Sequence, residues 1–413
     1  MADVRSYAIV TAAYWAFTLT DGALRMLVLL HFHSLGYTPL DLAFLFGLYE
    51  FMGVVTNFLG GWVGARFGLR VTLFAGIALQ VLALLMLSAV DPHWAVALSV
   101  VYVMVAQGLS GIAKDLTKMS AKSALKVVVG EAGCGLLFRW VALLTGSKNA
   151  LKGVGFFLGG ALLAWVGFQS ALWGMAGVLV AVLASAVVSL RADLGKAKAR
   201  VRGRDLFSKT REINWLSAAR VFLFASRDVW FVVGVPIYLY SWLGWSFDEV
   251  GAFMAAWVIG YGVVQAAVPR VLSGTKNAES GARAAKLWGI FLFLVPAALA
   301  ATMATVPSAG LLIGGLFIFA VVLAINSALH SYLIVAYSDV DKVALNVGFY
   351  YMANAMGRLG GTLLSGLVFQ MAGLSASLWV SAVMVAAAVL FTLPLAARPR
   401  PSAREIVGKD VMP

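Results

Sequence analysis

Two lysines four residues apart, Lys148 and Lys152, interrupt the apolar stretch "LTGSKNALKGVGFFLGGALLA". At that spacing they share one helical face with Gly155 and Gly159. A cation in hydrocarbon costs roughly 2.5–3.5 kcal/mol on insertion scales, so a chain that keeps one there has a use for it. Arg25, Arg139, Arg220, Arg227 and Arg358 are placed similarly, which makes seven bases in apolar segments against three acids, Asp21, Glu50 and Asp228. Asn346, Tyr350, Asn354 and Arg358 step by four along one helix, and Asn149 lies beside Lys148. Three acids cannot neutralise seven bases, and the cheapest source of the missing charge is an anionic ligand. Arginine offers a planar fork to an oxyanion and lysine a mobile point charge, so a mixed set suits a ligand with more than one anionic group. Asp21 with Arg25 (i,i+4) and Arg227 with Asp228 also read as structural ion pairs. Arg139 and Arg220 read as snorkelling at the membrane surface. Glu50, between Tyr49 and Gly53, is the leading candidate for carrying a proton, followed by Asp21 and Asp228, with a structural partner for Glu50 equally open.

The elements that must position these groups are membrane helices. The 413 residues are 62% hydrophobic and 12% charged, with mean hydropathy +0.92; soluble domains carry about 25% charged residues. A bilayer crossing needs roughly 20 apolar residues. Twelve such segments are expected, over 7–31, 41–65, 70–90, 94–114, 137–166, 169–190, 213–240, 248–271, 287–306, 308–335, 343–371 and 375–397. The ten-residue alternation of a β-barrel is absent. Asp21 and Arg25 break the first span, and no small-residue cleavage site follows it, so it does not read as a signal peptide.

Connections near 32–40, 91–93, 168–170, 241–247, 306–308 and 372–377 contain no Lys or Arg. The opposite connections hold Arg66, Arg70, Lys114 to Lys126, the run "RADLGKAKARVRGRDLFSKTR", Arg270, Lys276, Arg283, Lys286 and Lys342. The positive-inside rule then places both termini in the cytoplasm. The net charge of +13 is read as orientation and contact with anionic membrane lipid rather than nucleic-acid binding. One cysteine, Cys134, excludes an intrachain disulfide and a thiolate metal site.

The chain repeats itself. "TLTDGALRMLVLLHFHSLGYTPLDLAF" resembles "FASRDVWFVVGVPIYLYSWLGWSFDEVGAF", aligning Asp21 with Asp228 and Leu35-Gly36 with Leu243-Gly244; "GVVTN" from Gly53 matches "GVVQA" from Gly262. Two like halves are expected, 1–190 and 213–397, joined by a basic linker over 191–212 and followed by a tail, 398–413. This pattern resembles the major facilitator superfamily, an all-α fold of twelve transmembrane helices in two pseudo-symmetric six-helix halves with its substrate site between them. Its gating motif is approximated by "GWVGARFGLR", with Gly61, Arg66, Gly68 and Arg70 in place and Ala65 where the motif has Asp. "GFFLGG" resembles its antiporter motif, with Phe156 for Pro; Gly155, Gly159 and Gly160 also suit plain helix packing.

The segments "YWAFTLTDGALRMLVLLHFHSLGY", "GLSGIAKDLTKMSAKSALK", "LTGSKNALKGVGFFLGGALLA" and "FASRDVWFVVGVPIYL" resemble the organoarsenical efflux permease (ArsJ) family of bacterial arsenic-resistance operons. The resemblance spans nearly the whole chain. It implies export of 1-arseno-3-phosphoglycerate across the bacterial inner membrane by a monomer, no cofactor, and a functional link to the glyceraldehyde-3-phosphate dehydrogenase that makes this labile anhydride from arsenate. On that reading Arg25, Lys148, Asn149, Lys152, Arg227, Tyr350, Asn354 and Arg358 bind substrate. An organophosphate–phosphate antiporter is the alternative, for which Arg25 and Arg227 are suitably placed. A membrane enzyme would need a nucleophile–base or metal constellation; His31, His33, His93 and His330 form no HExxH pattern, so no catalytic or metal residue is assigned.

Overall fold

The computed structural model describes residues 2–67, 69–129, 134–190, 210–271, 278–305, 308–338 and 343–396, with side chains over 8–59, 70–121, 147–190, 210–268, 278–305, 308–338 and 346–395. The described chain is helical: α1 (Ala2–Ser34), α2 (Pro39–Phe67), α3 (Leu69–Ser88), α4 (Val96–Val129), α5 (Cys134–Val166), α6 (Phe168–Ser189), α7 (Arg211–Phe231), α8 (Gly234–Ser241), α9 (Phe247–Val271), α10 (Ala278–Thr305), α11 (Ala309–Ala336) and α12 (Val343–Thr392). Ten stretches are long and apolar enough to cross a bilayer, α7 and α8 counting as one. The 50-residue α12 bends at Gly373 (φ 73°) into two crossing arms. With the 33-residue α1, long enough to cross at 1.5 Å per residue, the chain crosses twelve times.

Helix 7 is broken where the sequence dictates. Pro236 has no N–H to donate to the turn before it, and α7 ends at Phe231 while α8 begins at Gly234. The backbone amides freed there, Val233 and Gly234, both donate to Ser365 Oγ of α12 at 3.1 and 3.2 Å. A break at membrane depth is tolerated because protein supplies the acceptor.

The internal repeat is visible in the turns. Gly36 (φ 88°) pairs with Gly244 (φ 71°), and Gly167 (φ 79°) with Gly373 (φ 73°); left-handed backbone favours glycine at each. After the first pair, each half opens its second helix with the same capping box. Asp41 accepts from Thr38 N (3.1 Å), and Glu249 accepts from Ser246 N (2.8 Å). Thr38 and Ser246 lie 208 positions apart, as do Asp41 and Glu249.

The halves meet along two seams, α2 against the first arm of α12 and α5 against α9. At the end whose connections lack Lys and Arg, His33 Nε2 lies 2.7 Å from Ser241 Oγ, and Leu40 N donates to Gln370 Oε1 at 3.0 Å. That end is closed. His31 stacks on Phe168 at 3.9 Å there.

The glycines of "GFFLGG" are packing residues in this structure. A Cβ on Gly155 would lie 2.5 Å from the Leu19 carbonyl oxygen, and one on Gly159 would lie 2.9 Å from Met26 Cβ; both face α1. Gly160 faces α9, where a Cβ would meet Gly251 Cα at 3.4 Å. Gly159→Leu is therefore expected to push α5 off α1 and to cost about 1–3 kcal/mol by overpacking. The measurement is the melting temperature of purified protein, and an unchanged value would show that the helices can separate freely.

Candidate functional site

A row of alternating charge crosses the seam between the halves. Arg25 of α1 donates from Nη1 to Glu50 Oε1 of α2 at 3.0 Å. Arg358 of α12 donates from Nη2 to the same oxygen at 2.5 Å. Arg358 Nε in turn approaches Asp228 Oδ2 of α7 at 3.5 Å, and Arg227 donates from Nε to Asp228 Oδ1 at 2.5 Å. Glu50 and Asp228 are each 1% exposed. Two carboxylates thus serve three guanidiniums, and Arg25 Nη2 is left buried without a hydrogen-bond partner. Apolar walls hold the row in place: Arg25 lies over Phe46 (5.1 Å) and Tyr49 (5.6 Å), and Arg227 over Phe224 (5.1 Å) and Phe231 (5.5 Å).

Two ammonium groups flank this row. Lys152 Nζ of α5 lies over Phe156 at 5.6 Å, and Lys114 Nζ of α4 lies over Tyr49 at 4.0 Å. Lys114 interacts electrostatically with Asp115, Glu50 and Arg358, and Lys152 with Arg358, Asp21 and Glu50. Among the described residues neither has a carboxylate within the 4.0 Å of an ion pair. Both lysines are half-buried rather than sealed. Lys148, one turn from Lys152 on the same helix and within its electrostatic field, has an interaction of its own. The arrangement can hold an oxyanion: ammonium groups from two helices converge on a pair of forks.

Several expectations change in detail. Asp21 and Arg25 do not form the expected i,i+4 pair. Glu50 takes Arg25, and Asp21 accepts from the Tyr49 hydroxyl at 2.7 Å. A guanidinium able to reach a fully buried carboxylate on the next helix gains more there than from its own helix neighbour. The Arg227–Asp228 pair is present. Lys114, expected in a loop, sits inside α4, which runs on to Val129. Beside it Asp115, 1% exposed, accepts from Lys118 Nζ at 2.5 Å and from Thr56. Lys118 also donates to Asn57 Oδ1 at 2.9 Å. The apolar run ends near Lys114, but the helix continues because this charged face is covered by α2. The four-residue step of Lys114 and Lys118 was the available signal.

Arg220 does not snorkel either. It is 4% exposed and bonded to Asn354 and Ser327. Asn354 therefore supports Arg220, and Tyr350, 1% exposed, lies beneath it. Asn149 packs its Cβ towards Gly262 of α9. Arg70 lies over Phe74 at 5.3 Å, whereas Gly61, Arg66, Gly68 and Arg139 fall outside the residues whose side chains are described. Among the described interior groups the balance is eight bases (Arg25, Lys114, Lys118, Lys148, Lys152, Arg220, Arg227, Arg358) to four acids (Asp21, Glu50, Asp115, Asp228). The surplus expected from sequence persists, with different members.

No family model and no curated protein matches the chain in sequence. Solved structures do match in shape. The nucleoside transporter NupG, solved as a point mutant, superposes with TM-score 0.71 at 14% identity, over 96% of this chain and 99% of that one. A bacterial homologue of the iron transporter ferroportin, in an inward-facing state, gives TM-score 0.67 at 15% identity over 95% and 99%. The human organic anion transporter MFSD10 (TETRAN) gives 0.62 at 16% over 94% and 99%. The chain has the major facilitator fold. Its twelve helices form an integral, multi-pass membrane protein, and the charged row lies on the seam where the two halves of that fold meet.

Proposed function

We propose that this protein is an anion exporter that carries 1-arseno-3-phosphoglycerate out of the cell by alternating access and so confers arsenate resistance. One observation carries the anion: Lys114 and Lys152 stand beside the Arg25–Glu50–Arg358 bridge with no carboxylate within ion-pair distance among the described residues. A cation is costly at membrane depth without compensation, and a ligand's acidic groups supply that compensation. The identity of the anion rests on the sequence likeness to organoarsenical efflux permeases, whose substrate carries arsenate at one end and phosphate at the other. An organophosphate exchanger would use Arg25 and Arg227 as the anion's ligands; each is paired with a carboxylate, as Arg358 is, so engagement by an acid does not separate the two readings and the growth phenotype below does.

The mechanism follows from the bridge. Glu50 is an internal anion held by Arg25 and Arg358, and its bond to Arg358 joins the two halves. An oxyanion arriving from the basic-loop side competes with Glu50 for both guanidiniums. Occupancy weakens that tie at mid-seam, and the halves become free to rock about the site. Lys114 and Lys152 attract the anion and the forks orient it.

Direction depends on both termini being cytoplasmic, as the uneven distribution of Lys and Arg supports. A single cysteine placed at Gly36 or Phe247 is expected to react with an impermeant thiol reagent in intact cells, whereas one at Arg202 is not. Labelling of the Arg202 position from outside would reverse the orientation and the direction of export. Loss of the gene is expected to lower tolerance to arsenate and not to arsenite, which forms no such anhydride. Impaired growth on a phosphate ester with normal arsenate tolerance would favour the exchanger.

A further inference from the structure

The C-terminal half holds a second cationic centre that the bridge does not include. Arg220 of α7 donates from Nε to Asn354 Oδ1 at 3.0 Å, and from Nη1 to Ser327 Oγ at 3.0 Å and to the Ser327 carbonyl at 3.4 Å. None of these bonds uses Nη2, and every acceptor is neutral. The guanidinium is packed against Phe224 (4.0 Å) and Tyr350 (4.8 Å). Arg25, Arg227 and Arg358 each touch a carboxylate, while Arg220 has none within 4.0 Å among the described residues. Gln265 of α9 donates to Ser327 Oγ at 3.4 Å. His330 of α11, 1% exposed, lies within the electrostatic reach of Arg220, and its Nδ1 has no hydrogen-bond partner. Four elements, α7, α9, α11 and the first arm of α12, converge on one positive charge that has no counter-ion within 4.0 Å among the described residues. For a merely structural arginine that is an expensive design.

We propose that Arg220 is a second anion subsite, which takes the far acidic group of a two-ended substrate whose near group sits at Arg25, Lys114, Lys152 and Arg358. The proposal rests on the anion-transport reading above and adds a selectivity rule to it. Asn354, which fixes Arg220, and Arg358, which carries the bridge, are one turn apart on α12, about 6 Å along the helix axis. A three-carbon chain with an acidic group at each end spans about that separation, whereas a single small oxyanion reaches one centre only. Asn354 and Ser327 hold the fork, and its unused edge remains for the ligand.

The test uses the full-length protein purified in lipid nanodiscs and two probes, inorganic phosphate with one acidic centre and 3-phosphoglycerate with two. The wild type is expected to bind 3-phosphoglycerate about tenfold more tightly than phosphate, the worth of one charge-assisted contact. Arg220→Gln should erase that preference while phosphate affinity stays within about threefold of wild type. Arg220→Lys should keep part of it, since the charge remains and the fork is lost. A preference retained in Arg220→Gln would overturn the subsite, as would an equal loss of both probes with a lowered melting temperature, the mark of a structural role. Wild-type protein that binds neither probe would defeat the anion reading itself, a separate result.

Discussion

Lys152→Met is expected to weaken anion binding about ten- to hundredfold, the worth of one charge-assisted contact of about 1.5–3 kcal/mol, while membrane abundance stays at the wild-type level. The two effects separate because, among the described residues, Lys152 has no carboxylate in ion-pair contact to strand. Methionine keeps nearly the same length and enters hydrocarbon at lower cost than lysine. Lys114→Met should behave alike, since Asp115 stays satisfied by Lys118 and Thr56 after the change. Lys148→Met is a less clean probe, because Lys148 has another interaction to lose. The measurements are a binding isotherm on purified protein and arsenate tolerance in cells, normalised to protein in the membrane. Full resistance in both Lys114→Met and Lys152→Met cells would mean that neither ammonium faces the ligand and both are structural.

Glu50→Gln is expected to have the largest effect on stability. The carboxylate is 1% exposed and accepts from two guanidiniums on different helices, at 3.0 and 2.5 Å. Its replacement leaves two buried cations facing a neutral amide, and breaking a buried pair in this way costs about 3–5 kcal/mol. Folded protein should fall sharply. The double variant Glu50→Gln, Arg25→Gln should recover part of the loss, because one of the two stranded charges goes with it. Thermal melting of the three proteins checks this. A Glu50→Gln protein as stable as wild type would show that the bridge is not a tie between the halves. Phosphate at high concentration should also stabilise the single variant more than the wild type, since the anion can occupy the place Glu50 leaves.

The helices were legible in the sequence because each segment had to be apolar over roughly 20 residues. The repeat was legible because turns are chemically demanding: Gly36 and Gly244 recur where left-handed backbone is needed, and Asp41 and Glu249 recur where a helix start must be capped. The charges at membrane depth stood out for the same reason of cost. Their partners did not. Sequence spacing favoured Asp21 for Arg25, but which carboxylate wins depends on how α1 and α2 are set against each other, a tertiary fact. Lys114, Asp115 and Lys118 were hidden because a run of charge looks like the end of a membrane helix, and only the cover supplied by Thr56 and Asn57 of α2 shows otherwise. Arg220 looked like an interfacial arginine until Asn354 and Ser327, more than a hundred positions away, closed around it.

The central claim is tested most directly by uptake into inside-out membrane vesicles, with 1-arseno-3-phosphoglycerate generated in the bath from labelled glyceraldehyde 3-phosphate, arsenate, NAD+ as hydride acceptor and the dehydrogenase. Each elementary charge moved across 100 mV is worth about 2.3 kcal/mol, so a polyanion leaving a negative interior needs no proton to drive it. Vesicles holding the wild-type protein should accumulate label, should continue to do so when only the pH gradient is collapsed, and should lose most of that uptake with Lys152→Met. Accumulation no greater than in vesicles without the protein, or equal accumulation by the Lys152→Met protein, would contradict the account. Complete loss on collapsing the pH gradient alone would leave the anion site standing and shift the driving force to a proton carried by Glu50.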